Sequence, residues 1–201
     1  MEEELRDAIR KLCEGFPDEY WQSLDRERAY PEKFVAELND AGYLACMIPE
    51  EFGGPGLGIR EAAVIPEEIN RSGGNGAACH AQMYTMGTLL RHGSEEQKRR
   101  WLPDIASGKT RLQAFAVTEP DAGSDTTKIS TFAEKKGDRY VVHGKKTFIS
   151  RVQHSGLMIL LARTTRRSEP DPPAYGRGDG DGDDRVLDGS LRRRRRRKHN
   201  G

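Results

Sequence analysis

At 201 residues the chain is long enough for one or two small domains. Its net charge of +1 hides a split: residues 163–201 hold 12 Lys/Arg against 7 Asp/Glu, leaving 21 against 25 in the rest, so the body is mildly acidic and offers no global attraction for nucleic acid. No run of about 18 apolar residues exists to form a membrane helix, the Met-Glu-Glu-Glu start lacks the regions of a secretory signal, and Cys13, Cys46 and Cys79 lack metal-ligand spacing, so a reducing, cytoplasmic location is expected.

The first half reads as helix throughout. Leu5, Ala8, Ile9 and Leu12 recur at helical spacing. Phe16-Pro17 breaks the pattern, and Asp18 opens a second helix over 18–28 with Tyr20, Trp21 and Leu24 as its buried face. Pro31 suits the first turn of a third, striped by Phe34, Val35, Leu38 and Ala41 and ended by Gly42. The loop from Gly53 to Gly58 has the glycine content of a phosphate cradle but neither the Lys-Ser/Thr of a P-loop nor G-x-G-x-x-G spacing, so a tight irregular loop is expected. Residues 59–71 form the next helix, which Pro66 should kink or shorten. Glu67 and Glu68 are adjacent within it and point to different sides, as on a solvated face. Ala77 to His92 reads as a buried helix, and Ser94 with Gln97 forms a capping box for another, with Trp101, Leu102 and Ile105 apolar.

From residue 111 the apolar period changes to two. Strands are expected over 111–118, 129–133, 140–143, 146–150 and 157–162, with Gly137-Asp138 as a hairpin turn. The fold class is therefore α+β. A helical domain over 1–110 is followed by a partial antiparallel, barrel-like sheet over 111–163. Residues 164–201 are expected to be a disordered basic tail, because Pro172-Pro173 and alternating Gly-Asp cannot bury a core. Arg192 to Lys198 could serve as a nucleic-acid arm or import signal, but the patternless composition reads instead as out-of-frame translation.

One stretch carries more than fold. The strand from Leu112 runs into Phe115-Ala-Val-Thr-Glu-Pro-Asp-Ala-Gly-Ser-Asp125, where proline stops the ladder and a small, donor-rich segment follows. With Ile48-Pro-Glu-Glu-Phe-Gly-Gly54, His92-Gly-Ser-Glu-Glu-Gln-Lys98 and Gly144-Lys-Lys-Thr-Phe-Ile-Ser150, it closely resembles the acyl-CoA dehydrogenase family, in that family's order and over about residues 1–163.

The resemblance implies an FAD enzyme. Such enzymes make a C2–C3 double bond in acyl-CoA thioesters, with hydride passing to flavin N5 and electrons to an electron-transferring flavoprotein. By motif, Phe115, Val117, Thr118, Ser124, Phe148, Ile149 and Ser150 would line FAD. Val117 and Thr118 would sit at the ring's polar edge and Ser124 near the pantetheine arm. Phe148 falls where the family usually has Trp, which keeps an aromatic face and loses the indole N–H. His80 and Tyr84, four apart on one helix, would touch the acyl chain, although a satisfied or exposed histidine is the simpler reading of His80. The family's catalytic glutamate lies in a C-terminal domain that this sequence lacks, so the chain is expected to be an inactive, C-terminally truncated piece with no catalytic residue and no metal. The rival readings are a non-catalytic FAD-, CoA- or partner-binding module and an acyl-CoA oxidase-like flavoprotein. Oligomeric state is left open, and no membrane or nucleic-acid partner is expected.

Overall fold

The computed structural model describes residues 2–165. Expectations for the basic tail lie outside the described residues. Six helices come first: α1 (Glu2–Cys13), α2 (Asp18–Glu27), α3 (Glu32–Asp40), α4 (Ile59–Arg71), α5 (Ala77–His92) and α6 (Glu95–Ala106). Four strands follow: β1 (Leu112–Ala116), β2 (Phe132–Lys136), β3 (Arg139–His143) and β4 (Leu157–Leu160).

The helices assemble around apolar stripes. Ile9, Phe34, Val35, Leu38, Ile65, Ile69 and Cys79 form one core. Burying each large aliphatic or aromatic side chain contributes about 1.5–3 kcal/mol. Phe34 also meets Phe16 and Trp21 edge-on, with ring centroids 5.0 and 4.8 Å apart. Tyr20, Trp21 and Leu24 are only half-buried, and α2 has no fully buried residue. A second core, with Ile48, Met86, Leu89, Leu102 and Ile105, reaches Leu112 of β1 and so joins the helices to the sheet. The three cysteines are buried and unpaired, and burial pushes the Cys46 thiol up to about 11.

Several local expectations change in three dimensions. Proline holds the positions before α2 and α3, so Asp18 is the first residue of α2 rather than its cap, and Pro31 caps α3 rather than entering it. Pro66 lies inside α4 without ending it, where Val64, Ile65 and Ile69 are buried around it. Glu68 is fully buried, not solvated. Arg10 and Arg6 of α1 donate to its two oxygens at 2.5–3.1 Å, and they hold its carboxyl below the usual range. The Gly53–Gly58 loop is no phosphate cradle. The N–H groups of Gly53, Gly54, Gly56 and Leu57 are spent on carbonyls of residues 46–50, and that of Gly58 on the Glu61 carboxylate. Gly54 packs so closely that a Cβ there would stand 2.2 Å from the Ile48 carbonyl oxygen.

The sheet also departs from expectation. β2 and β3 form the expected hairpin, with Gly137 at φ +62. β1 and β4, however, pair in parallel, and no closed barrel forms among the described residues. β4 pairs with β1 on one side, and among the described residues no strand lies on its other side. Beyond it Leu161 donates to Ala116, and Arg163 exchanges backbone hydrogen bonds with Thr131 and Ala133, so this segment bridges β1 and β2. Residues 146–150 form no strand. The reason is local: Phe148 sits at φ +57, outside the β region.

Tyr30 fastens the two halves. Its hydroxyl donates to Gln113 at 2.6 Å, and its ring stacks on His154 at 4.1 Å. Replacing Tyr30 with Phe strands a buried acceptor, and a loss of about 1–3 kcal/mol is expected in chemical denaturation.

Candidate functional site

The site begins at the C-terminal end of β1. Thr85 of α5 donates to the Leu112 carbonyl, which seats α5 along β1 and brings the Tyr84 ring 5.7 Å from that of Phe115. His80 meets Tyr84 edge-on at 5.2 Å. His80, Tyr84 and Phe115 thus form one row, with Tyr84 40% exposed. His80 is exposed as well. Its neighbour Cys79 is buried, and no cluster of three or more potential metal ligands occurs among the described residues.

Past Ala116 the chain leaves the ladder. Glu119 and Ala122 exchange backbone hydrogen bonds at 2.8 and 3.3 Å, with Pro120-Asp121 at the corner. This turn drives the Glu119 side chain inward, to 3% exposure. Its carboxylate accepts four hydrogen bonds, from Ser130 N–H and Oγ (2.6 and 2.8 Å), Thr131 N–H (2.9 Å) and Lys146 Nζ (2.9 Å). Burial alone would raise this carboxyl. The donors from Thr131, Ser130 and Lys146 outweigh it and hold the group well below the usual carboxylate range.

Lys146 Nζ also donates to the Val117 carbonyl at 2.7 Å, and Thr147 N–H donates to that of Thr118 at 3.0 Å. Residues 117–118 and 146–148 therefore lie side by side. Phe148 is neither packed in a core nor in a strand; its ring is 89% exposed on a left-handed backbone. A bulky residue held there costs of order 1–3 kcal/mol. Ile149 is half-buried and Ser150 exposed. Ser124 is exposed in the loop after the Glu119 turn.

Val117 and Thr118 are half-buried, and neither the N–H nor the hydroxyl of Thr118 has a partner among the described residues. A half-exposed donor pair left unspent, next to residues 146–148, can receive the acceptor edge of a flat heteroaromatic ligand. Elsewhere a hollow of about 470 Å³, lined by Trp21, Arg28, Tyr30, Gly74, Asn75 and Arg151 among others, shares no residue with this wall.

The family model for the acyl-CoA dehydrogenase N-terminal domain matches residues 1–109, and that for the middle domain matches residues 114–175. The chain belongs to the acyl-CoA dehydrogenase family. The middle-domain match extends past residue 163, the limit of the motif resemblance. Acyl-CoA dehydrogenase FadE12 of Mycobacterium tuberculosis is 34% identical over 161 residues, which is 80% of this chain and 41% of that protein. Glutaryl-CoA dehydrogenase of Desulfococcus multivorans is 34% identical over 172 residues, 83% of this chain and 43% of that protein. Among solved structures, an acyl-CoA dehydrogenase from Geobacillus kaustophilus superposes with a TM-score of 0.75 at 31% identity, covering 84% of this chain and 44% of that one. The chain spans about two fifths of the length of the curated relatives it matches.

The network of Glu119, Ser130, Thr131 and Lys146 behind the wall is not evident from the sequence motifs. The available signal was a glutamate and a lysine inside two otherwise small or apolar signatures, a pattern that buried partners explain. Gly144 belongs to the same arrangement. A Cβ there would lie 2.3 Å from Thr131 Oγ1 and 2.7 Å from its Cα, so Gly144→Ala is expected to cost about 1–3 kcal/mol by overpacking, read from the unfolding midpoint.

Proposed function

We propose that this chain supplies one wall of the FAD and acyl-CoA cleft of an acyl-CoA dehydrogenase, without the residue that abstracts the α-proton. The observation that carries the reading is the adjacency of Thr118, with its unspent donors, to Phe148, through the Thr147 N–H to Thr118 carbonyl bond. FAD, when bound, supplies the acceptor for the substrate β-hydride. The chain's own residues bind and orient. Thr118 N–H and hydroxyl donate to the ring's polar edge, where added negative charge is stabilised by a fixed donor. Val117 adds its backbone, Phe115, Phe148, Ile149 and Ser150 flank the ring, and Ser124 meets the pantetheine arm. Tyr84 and His80 continue the row along which the acyl chain lies.

Substrate is an acyl-CoA thioester, and an electron-transferring flavoprotein is the partner of the complete enzyme. The helical part over 1–110 and the sheet part over 111–163 act together as this wall. No helix among the described residues is long and apolar enough to cross a membrane, and we place the activity in the cytoplasm.

Flavin fluorescence titration tests the reading. Thr118→Val keeps shape and removes the hydroxyl. Affinity for FAD is expected to fall by roughly 5- to 30-fold, the worth of about 1–2 kcal/mol. Equal affinity in the two proteins would contradict the assignment of Thr118.

A further inference from the structure

Lys146 is a charged side chain only 9% exposed, paired with a glutamate only 3% exposed. Such a pair gains little stability over apolar residues of the same volume, because both ions give up their hydration. Its geometry points to another use. One donor of the ammonium goes to Glu119 and another to the Val117 carbonyl. Among the described residues β1 pairs only with β4, and Val117 lies just past its last residue. The ammonium therefore stands in for a neighbouring strand at the point where β1 ends. The next residue, Thr147, adds its N–H to the Thr118 carbonyl. Two successive residues are pinned, and Phe148 follows them directly on its left-handed backbone.

We propose that Lys146 is a positioning residue, fastening residues 146–148 to the end of β1 so that Thr118 and Phe148 face one ligand. Glu119 is the anchor for that fastening. Ser130 and Thr131 hold three of the four bonds to its carboxylate, so the anchor stays in place while Lys146 bridges to it. Arginine does not reproduce this arrangement, since its planar fork is longer and suits a single carboxylate rather than a carboxylate and a carbonyl. The consequence for ligand binding rests on the flavin reading above; the fastening itself does not.

The experiment uses the full chain with two variants. Lys146→Met removes the ammonium. The double variant Glu119→Gln, Lys146→Met leaves no buried charge unpaired and so keeps a folded protein available if the single variant is too unstable. Amide exchange at Thr147 reads the fastening without flavin. In the double variant, with the global unfolding midpoint retained, Thr147 protection is expected to fall by at least about tenfold, as for a locally opened segment. FAD affinity is expected to fall by a similar factor. Unchanged Thr147 protection in the double variant would overturn the proposal, as would lost protection with FAD affinity equal to that of the parent. Should the parent chain bind no FAD at all, the flavin reading fails, while the exchange result still decides the fastening.

Discussion

Mixed anaerobically with FAD and a range of acyl-CoAs, the purified chain is expected to leave the flavin absorbance band unbleached at catalytic rates. Removing an α-proton requires a carboxylate that is both placed against the substrate and free to accept. Three carboxylates occur in the motif at this wall. Glu119 already accepts four hydrogen bonds and is held far below the usual range, so it is both occupied and a weak base. Asp125 is engaged by the Thr127 N–H and hydroxyl and by Lys128. Asp121 lies exposed at the corner of the turn. A placed acid–base group contributes typically about 10²- to 10⁴-fold to such a step, and none of these three is expected to supply it. Stopped-flow absorbance provides the check. Flavin reduction clearly faster than in a protein-free mixture would show that this chain carries a base of its own.

Glu119→Ala should be among the most destabilising single substitutions in the sheet half. It deletes the group on which Ser130, Thr131 and Lys146 converge and leaves the Lys146 ammonium buried with only the Val117 carbonyl. Breaking a buried pair in this way costs about 3–5 kcal/mol, a large share of the roughly 5–15 kcal/mol that a domain has. Urea denaturation at neutral pH should show it. Acid provides a second check with a defined sign. The Glu119 carboxyl is depressed in the folded protein, so its contribution is complete above the ordinary value of 4.5 and is lost as pH falls through the lower folded value. The stability gap between the parent and Glu119→Gln should therefore be constant above that ordinary value and shrink below it. A gap that widens on acidification would contradict the network.

Much of the helical half was legible from local chemistry. The α5 bounds, Ala77–His92, follow from an apolar run between glycines, and the Ser94–Gln97 box forms as read, at 3.2 and 3.0 Å. These features depend on residues within a turn or two of one another. What was not legible depends on distant partners. Glu68 looks solvated until α1 is laid across α4, because its partners stand 58 and 62 residues away. The β1–β4 pair was assigned to an antiparallel sheet, since the alternation of apolar residues is the same for either direction of pairing. Residues 146–150 carry the strand-favouring Thr147, Phe148 and Ile149, yet Lys146 is spent on Glu119 and Val117, and Phe148 turns out of the β region. At the candidate site the motifs name the residues proposed for the wall, whereas the ion pair between Lys146 and Glu119 emerges only from the fold.

Amide chemical-shift mapping during FAD titration of the full chain measures directly where a flavin sits. Perturbations are expected at Phe115, Val117, Thr118 and residues 147–150, with Tyr84 at the margin. Shifts confined to the hollow around Trp21, Arg28 and Gly74, or no saturable shift anywhere, would contradict that placement.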